Sequence, residues 1–150
     1  VFQGKPCAAM SRVFINSIVN AYNKDHLEID LGRVTILDRV PTILHPRSDP
    51  KNEPRLVENL IDVKTAIQKS VKNATTVEII RLEEMEFEDQ ITILRKTHVL
   101  IGHEGAGMSH LMFLPGGAHV IELQESTQLL ELAKWKPSMT YNAVSLFEKQ

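Results

Sequence analysis

Residues 101–115 read IGHEGAGMSHLMFLP, and this stretch decides the fold. The run entering it, His98-Val99-Leu100-Ile101, is almost continuously apolar, as a strand covered on both faces must be. The run leaving it, Ala106 to Leu114, has helical composition, and Pro115-Gly116-Gly117 then reads as a turn. Between the two, Gly102, Gly105 and Gly107 strip side chains from a strand-to-helix turn. Backbone N–H groups can approach an anion in such a turn, where the dipole of the following helix also favours negative charge. The same glycines would equally serve a helix that packs closely on its strand. The stretch alone supports both readings.

Outward from this turn the pattern repeats. Upstream, Phe87, Ile91 and Leu94 place one apolar face on a short helix over 87–96, and TVEIIRL (76–82) is β-branched as a strand is. Before it, Leu56, Leu60, Val63 and Ile67 recur at helical spacing. They predict a helix over 53–71, with Asn52 as its N-cap and Pro54 in its first turn. Residues 41–54 hold four prolines and predict a long loop. RVTIL (33–37) predicts a strand. The stripe Phe14, Ile15, Ile18, Val19 and Tyr22 predicts a first helix over 11–23. Downstream, AHVIEL (118–123) predicts a strand, 127–135 a helix and 141–146 a last strand. Strands alternating with helices predict an α/β fold: a Rossmann-like parallel sheet with helices on both faces, formed by a single domain over 1–150.

Composition narrows the function. The chain has 150 residues, 43% of them hydrophobic and 24% charged, with a formal charge of -2. Those proportions suit a globular domain, and the absence of a basic block argues against nucleic acid as a partner. The chain opens on VFQGKPC, without an initiator methionine or a signal-peptide pattern, and reads as a piece of a longer protein. Cys7 is its one cysteine. It is either a buried thiol or the partner of a cysteine elsewhere in that protein. Asn73-Ala74-Thr75 matches the N-glycosylation acceptor, a secretory-pathway signal.

Several chemistries can be set aside. His103-Glu104 does not open a zinc HExxH helix, because Gly107 stands where the second histidine is needed. His98, His103, His110 and His119 lack zinc-ligand spacing, and no G-x-S-x-G elbow is present. GHEGAG does carry a glycine spacing like that of NAD(P)-binding oxidoreductases, with Glu122 near the offset of their ribose-binding acid. The dinucleotide fingerprint belongs to the first strand-to-helix turn of its fold, and this turn follows the third recognisable strand; a chain lacking N-terminal strands would keep that reading, so an NAD(P)-binding oxidoreductase domain stands as a second alternative.

Residues 84–123, EMEFEDQITILRKTHVLIGHEGAGMSHLMFLPGGAHVIEL, resemble the signature region of glycosyltransferase family 61, in the manner of its EGF-domain-specific O-GlcNAc transferase branch. RVTILDR resembles the family's strand that ends in arginine, RLVENLIDVKTAI its next helix, and Phe87 with Gln90 its short helix. The resemblance implies the C-terminal, donor-binding half of a two-domain GT-B architecture, whose N-terminal domain lies outside this chain. It also implies inverting transfer of GlcNAc or xylose from a UDP-sugar to a glycoprotein acceptor. The setting would be the secretory pathway, in the lumen of the ER or Golgi, with no cofactor beyond the UDP-sugar and no divalent metal.

By the same resemblance, Arg39 maps to a donor-binding arginine, apt for a diphosphate because guanidinium grips phosphate oxygens bidentately. Gly105, Ala106 and Gly107 map to the family's Gly-Ala-Gly, and Ser109 with His110 to its Thr-His. Ser109 either donates to a phosphate or caps its helix. Glu122 either binds ribose hydroxyls or is a solvated acid at a strand end. One departure stands out. The family's Gly-Met-His-Gly-Ala-Gly-Leu becomes Gly102-His103-Glu104-Gly105-Ala106-Gly107-Met108, which leaves Glu104, His103 and His110 as candidate catalytic groups. The departure also raises an alternative, an inactive family member that only binds a nucleotide sugar or a partner.

Overall fold

A computed structural model describes residues 5–39, 57–103, 105–123 and 139–144. The side chain of Cys7, Glu104, the predicted loop over 41–54 with Asn52 and Pro54, and the predicted helix over 127–135 lie outside these residues. Five strands form one sheet: β1 (Asp30–Leu37), β2 (Thr76–Ile80), β3 (Thr97–His103), β4 (His119–Leu123) and β5 (Thr140–Val144). Their order is β2-β1-β3-β4-β5, and every neighbouring pair is parallel. Among the described residues, helices α1 (Lys5–Ala21), α2 (Leu60–Ser70) and α3 (Phe87–Lys96), a three-residue 3₁₀ turn at Leu82–Glu84 and the 3₁₀ helix over Ala106–Phe113 complete the regular structure.

The alternation of side chains along each strand sorts them into two layers. Leu37, Leu100 and Val120 face one way and pack with Val19, Ile91, Leu94 and Leu111 of α1, α3 and the 3₁₀ helix. Val34, Ile36, Val77 and Ile101 face the other way, against Leu60, Val63 and Ile67 of α2. Thus β3 is covered on both faces, as its apolar run requires. Between β1 and β3 the buried Thr35 and Thr97 hydroxyls satisfy each other at 2.7 Å.

Three expectations need correction. Phe14 was assigned to the inward stripe of α1, yet it is 62% exposed, because Ile15, Ile18 and Val19 already fill the contact with the sheet. The helix expected from residue 53 opens at Leu60; Glu58 and Asn59 form a turn before it, and the first backbone bond runs from Val63 N–H to Asn59 C=O at 3.1 Å. Ala106–Phe113 is a 3₁₀ rather than an α-helix. Of its buried residues Met108, Leu111 and Phe113, the first two, continued by Leu114, stand at every third position. That period matches three residues per turn.

Candidate functional site

In the order β2-β1-β3, the chain leaves β1 toward α2 on one face and leaves β3 toward the 3₁₀ helix on the other. The two connections diverge at the carboxyl ends of these strands, and a crevice at such a switch point is where parallel α/β sheets bind ligands. Arg39 follows β1 and Gly105 follows β3, so pairing of the two strands brings them together. A methyl on Gly105 would stand 2.5 Å from Arg39 Nη1 and 2.9 Å from its Cζ. The guanidinium therefore lies directly on the glycine. Gly105 itself has φ 140° and ψ -176°, a conformation open essentially to glycine alone.

Gly102 has a different task. A methyl there would meet Met108 Sδ at 2.6 Å and Leu37 Cβ at 3.2 Å, so its bare Cα lets the 3₁₀ helix sit against the strand ends. Gly107 meets only Leu82 Cδ1, at 3.9 Å. Of the two sequence readings of these glycines, packing holds for Gly102, while Gly105 adjoins the one cationic group expected of a donor site.

Beside this contact opens a cleft of about 490 Å³ whose walls include Arg39, Gln90, His103, Ala106, Gly107 and His110. Its size lies within the ~300–1,000 Å³ typical of small-molecule sites. Asp38 and Glu83 also line it. The carboxylate of Asp38 is engaged by Arg81, whose Nε donates to Oδ2 at 2.8 Å, and Arg81 Nη1 reaches Glu84 at 3.1 Å. The hydrogen bond to Asp38, followed by that to Glu84, raises the Arg81 pKa above its ordinary value. Arg81 therefore offsets the acid next to Arg39. A second cleft, of about 650 Å³, shares Asp38 and Arg39 and runs toward Leu60 and Ile61 of α2.

The remaining predicted residues divide. His110 sits at the cleft edge with its Nδ1 3.2 Å from Gly107 O, packed edge-on against Phe87. Ser109 does not line the cleft; its hydroxyl donates back to Ala106 O at 2.6 Å, the local bond that competes with ligand binding. Glu122 is not a solvated acid. It is fully buried on the α1–α3 side of β4, accepts a hydrogen bond from the Tyr141 hydroxyl, and lies outside the cleft lining. Sequence reasoning missed Asp38, Arg81 and Glu83. It noted Gln90 without a role, whereas Gln90 both lines the cleft and holds its wall. Among the described residues no group of three His, Cys, Asp or Glu side chains is placed to hold a metal ion. No described helix is long and apolar enough to cross a membrane.

A parallel sheet covered by helices on both faces, with a crevice at its switch point, defines the Rossmann-like class of α/β folds. Within that class, the chain belongs to glycosyltransferase family 61, whose family model matches residues 3–121. It is 45% identical to the EGF domain-specific O-linked N-acetylglucosamine transferase of Drosophila melanogaster over 47 residues, 31% of this chain and 9% of that protein. The Gallus gallus protein of the same name is 35% identical over 72 residues, 43% of this chain and 14% of the relative. That of Xenopus laevis is 28% identical over 111 residues, 66% and 21% respectively. The chain thus spans a minor part of the length of the relatives it matches.

Proposed function

We propose that this chain forms the donor half of a glycosyltransferase and grips the diphosphate of a UDP-sugar between Arg39 and the glycine turn. The carrying observation is the Arg39 guanidinium seated on Gly105 at the switch point. A diphosphate leaving group accumulates charge as its bond to the anomeric carbon breaks, and donors already aimed at that position stabilise it without reorganisation. Arg39 supplies the charge, and the backbone of the 105–107 turn can supply N–H groups. Transfer with inversion follows if an acceptor hydroxyl attacks the anomeric carbon from the face opposite the diphosphate. The attacking hydroxyl's proton then passes to a general base, for which Glu104, His103 and His110 are the candidates on this chain. GlcNAc or xylose as the sugar, a glycoprotein as the acceptor and metal-independent chemistry extend this reading from the family.

The test uses the full-length protein: UDP and NAD are titrated in parallel, and turnover of UDP-GlcNAc and UDP-xylose is followed with an EGF-domain acceptor. Binding of UDP over NAD together with transfer supports the reading; preference for NAD sinks it. Glu104, where the family carries histidine, favours a second reading, a domain that binds the nucleotide sugar without transferring it. Binding without turnover, restored by Glu104→His, would select that one. For the secretory setting, Asn73 is exposed in the turn before β2, at the opposite end of the sheet from the cleft. A glycan on Asn73 of protein made in animal cells, removable by an N-glycanase, is the expected result.

A further inference from the structure

We infer that Gln90 recognises a neutral hydrogen-bond donor on the ligand, an N–H or O–H of its base or sugars, and so helps determine which nucleotide sugar the cleft accepts; this rests on the donor-site reading above. Gln90 is the fourth residue of α3 and a wall residue of the 490 Å³ cleft. Its Nε2 donates to two backbone carbonyls of the turn after β2, Leu82 O at 2.8 Å and Met85 O at 3.0 Å. A primary amide has two N–H donors, and both are committed here.

The opposite amide orientation would set its oxygen against those two carbonyl oxygens. The network therefore fixes which end faces onward. What Gln90 retains is its carbonyl oxygen, which makes no hydrogen bond to another described residue. One residue lining the cleft thus keeps a neutral acceptor held by its own amide network, while Arg39 lines the same cleft with a cation. A carbonyl oxygen repels phosphate oxygens, so the anion belongs at Arg39 and a donor group at Gln90. A site built to accept a hydrogen bond discriminates strongly against an analogue that lacks the donor, because the acceptor is then left unmatched.

The experiment titrates full-length wild type and Gln90→Leu with pyrophosphate, UDP, N3-methyl-UDP, 2′-deoxy-UDP and UDP-GlcNAc. Gln90→Leu should weaken UDP or UDP-GlcNAc by about threefold to tenfold, the worth of one neutral hydrogen bond, while pyrophosphate changes by less than about twofold. Wild type should lose the same factor with one donor-deleted analogue, and the variant should not. A loss with N3-methyl-UDP assigns the donor to the base, a loss with 2′-deoxy-UDP assigns it to the ribose, and a gain of UDP-GlcNAc over UDP that vanishes in the variant assigns it to the transferred sugar. Equal weakening of pyrophosphate and nucleotides would reduce Gln90 to a wall brace and overturn the inference. Should the variant fail to fold, the wild-type analogue series decides alone: equal affinity for all the nucleotides overturns the inference. Wild type that binds pyrophosphate but no nucleotide would remove the donor-site reading itself, and this inference with it.

Discussion

The two ends of the sheet are built from similar residues and end differently. Where the strands begin, Arg33 is bound to Glu78 and lies 3.9 Å from Asp30, and His98 donates from Nδ1 to Leu31 O at 2.6 Å. Gly32 there is pressed against Thr75 and the Asn73 carbonyl. Where the strands end, a glycine again meets a neighbouring segment and an arginine again stands near acids, yet a cleft opens beside them. An arginine and a glycine are therefore not sufficient for a site. The difference lies in topology: at the carboxyl ends of β1 and β3 the connections diverge to opposite faces.

Gly105→Ala should have the largest effect, because it disturbs both fold and site. Its φ of 140° is closed to alanine at a cost of about 1–3 kcal/mol. The added methyl would also displace the Arg39 guanidinium. A lower melting temperature together with weaker UDP binding is expected. Unchanged binding would break the proposed link between this glycine and the cation.

Arg39→Ala should follow, with a loss of about 1.5–3 kcal/mol in UDP binding, the range for hydrogen bonds to a charged group. Uridine, which has no phosphate, should lose much less. Equal losses for the two ligands would mean that Arg39 acts through structure.

Gly32→Ala tests the other end. Its methyl would stand 2.1 Å from Thr75 Oγ1 and 3.0 Å from a backbone oxygen, an overpacking worth about 1–3 kcal/mol of stability. UDP affinity in the folded fraction should be unchanged. If binding fell along with stability, the two ends would not be separable as the comparison requires.

How much of this was legible in the sequence follows from how local each signal is. β3 and α3 were readable because an apolar run and a spaced apolar face are written in consecutive residues. The 3₁₀ helix was mistaken for an ordinary helix because its composition is largely apolar and compatible with either. Its spacing of Met108, Leu111 and Leu114 carried the true period. Arg39 and Gly105 were named from resemblance, but their contact depends on parallel pairing of β1 with β3, which no local pattern encodes. The burial of Glu122 was not legible for a similar reason: it sits in a sheet interior where Tyr141 of β5 lies beside it. Gln90 bonds to carbonyls of a turn, and backbone groups leave no trace in residue identity. Glu104, the departure most relevant to activity, is a chemical signal that sequence alone supplies.

The smallest effect should come from Gly107→Ala, which separates the glycines of the turn from one another. The sequence treats Gly105 and Gly107 alike, as two bare positions clearing the way for an anion. The structure does not. Gly107 has no positive φ, and a methyl there meets only Leu82 Cδ1 at 3.9 Å, an ordinary contact. Replacing glycine by alanine where the backbone permits it stabilises by about 0.4–1 kcal/mol, chiefly by narrowing the unfolded ensemble. A slight rise in melting temperature is therefore expected. UDP affinity should barely change, since the methyl is directed at the Leu82 wall while Arg39 remains on Gly105. A large loss of binding would place the diphosphate against the Gly107 backbone, moving the anion site two residues further along the chain. Measured beside Gly105→Ala, the variant thus locates the ligand to within two residues of the same loop.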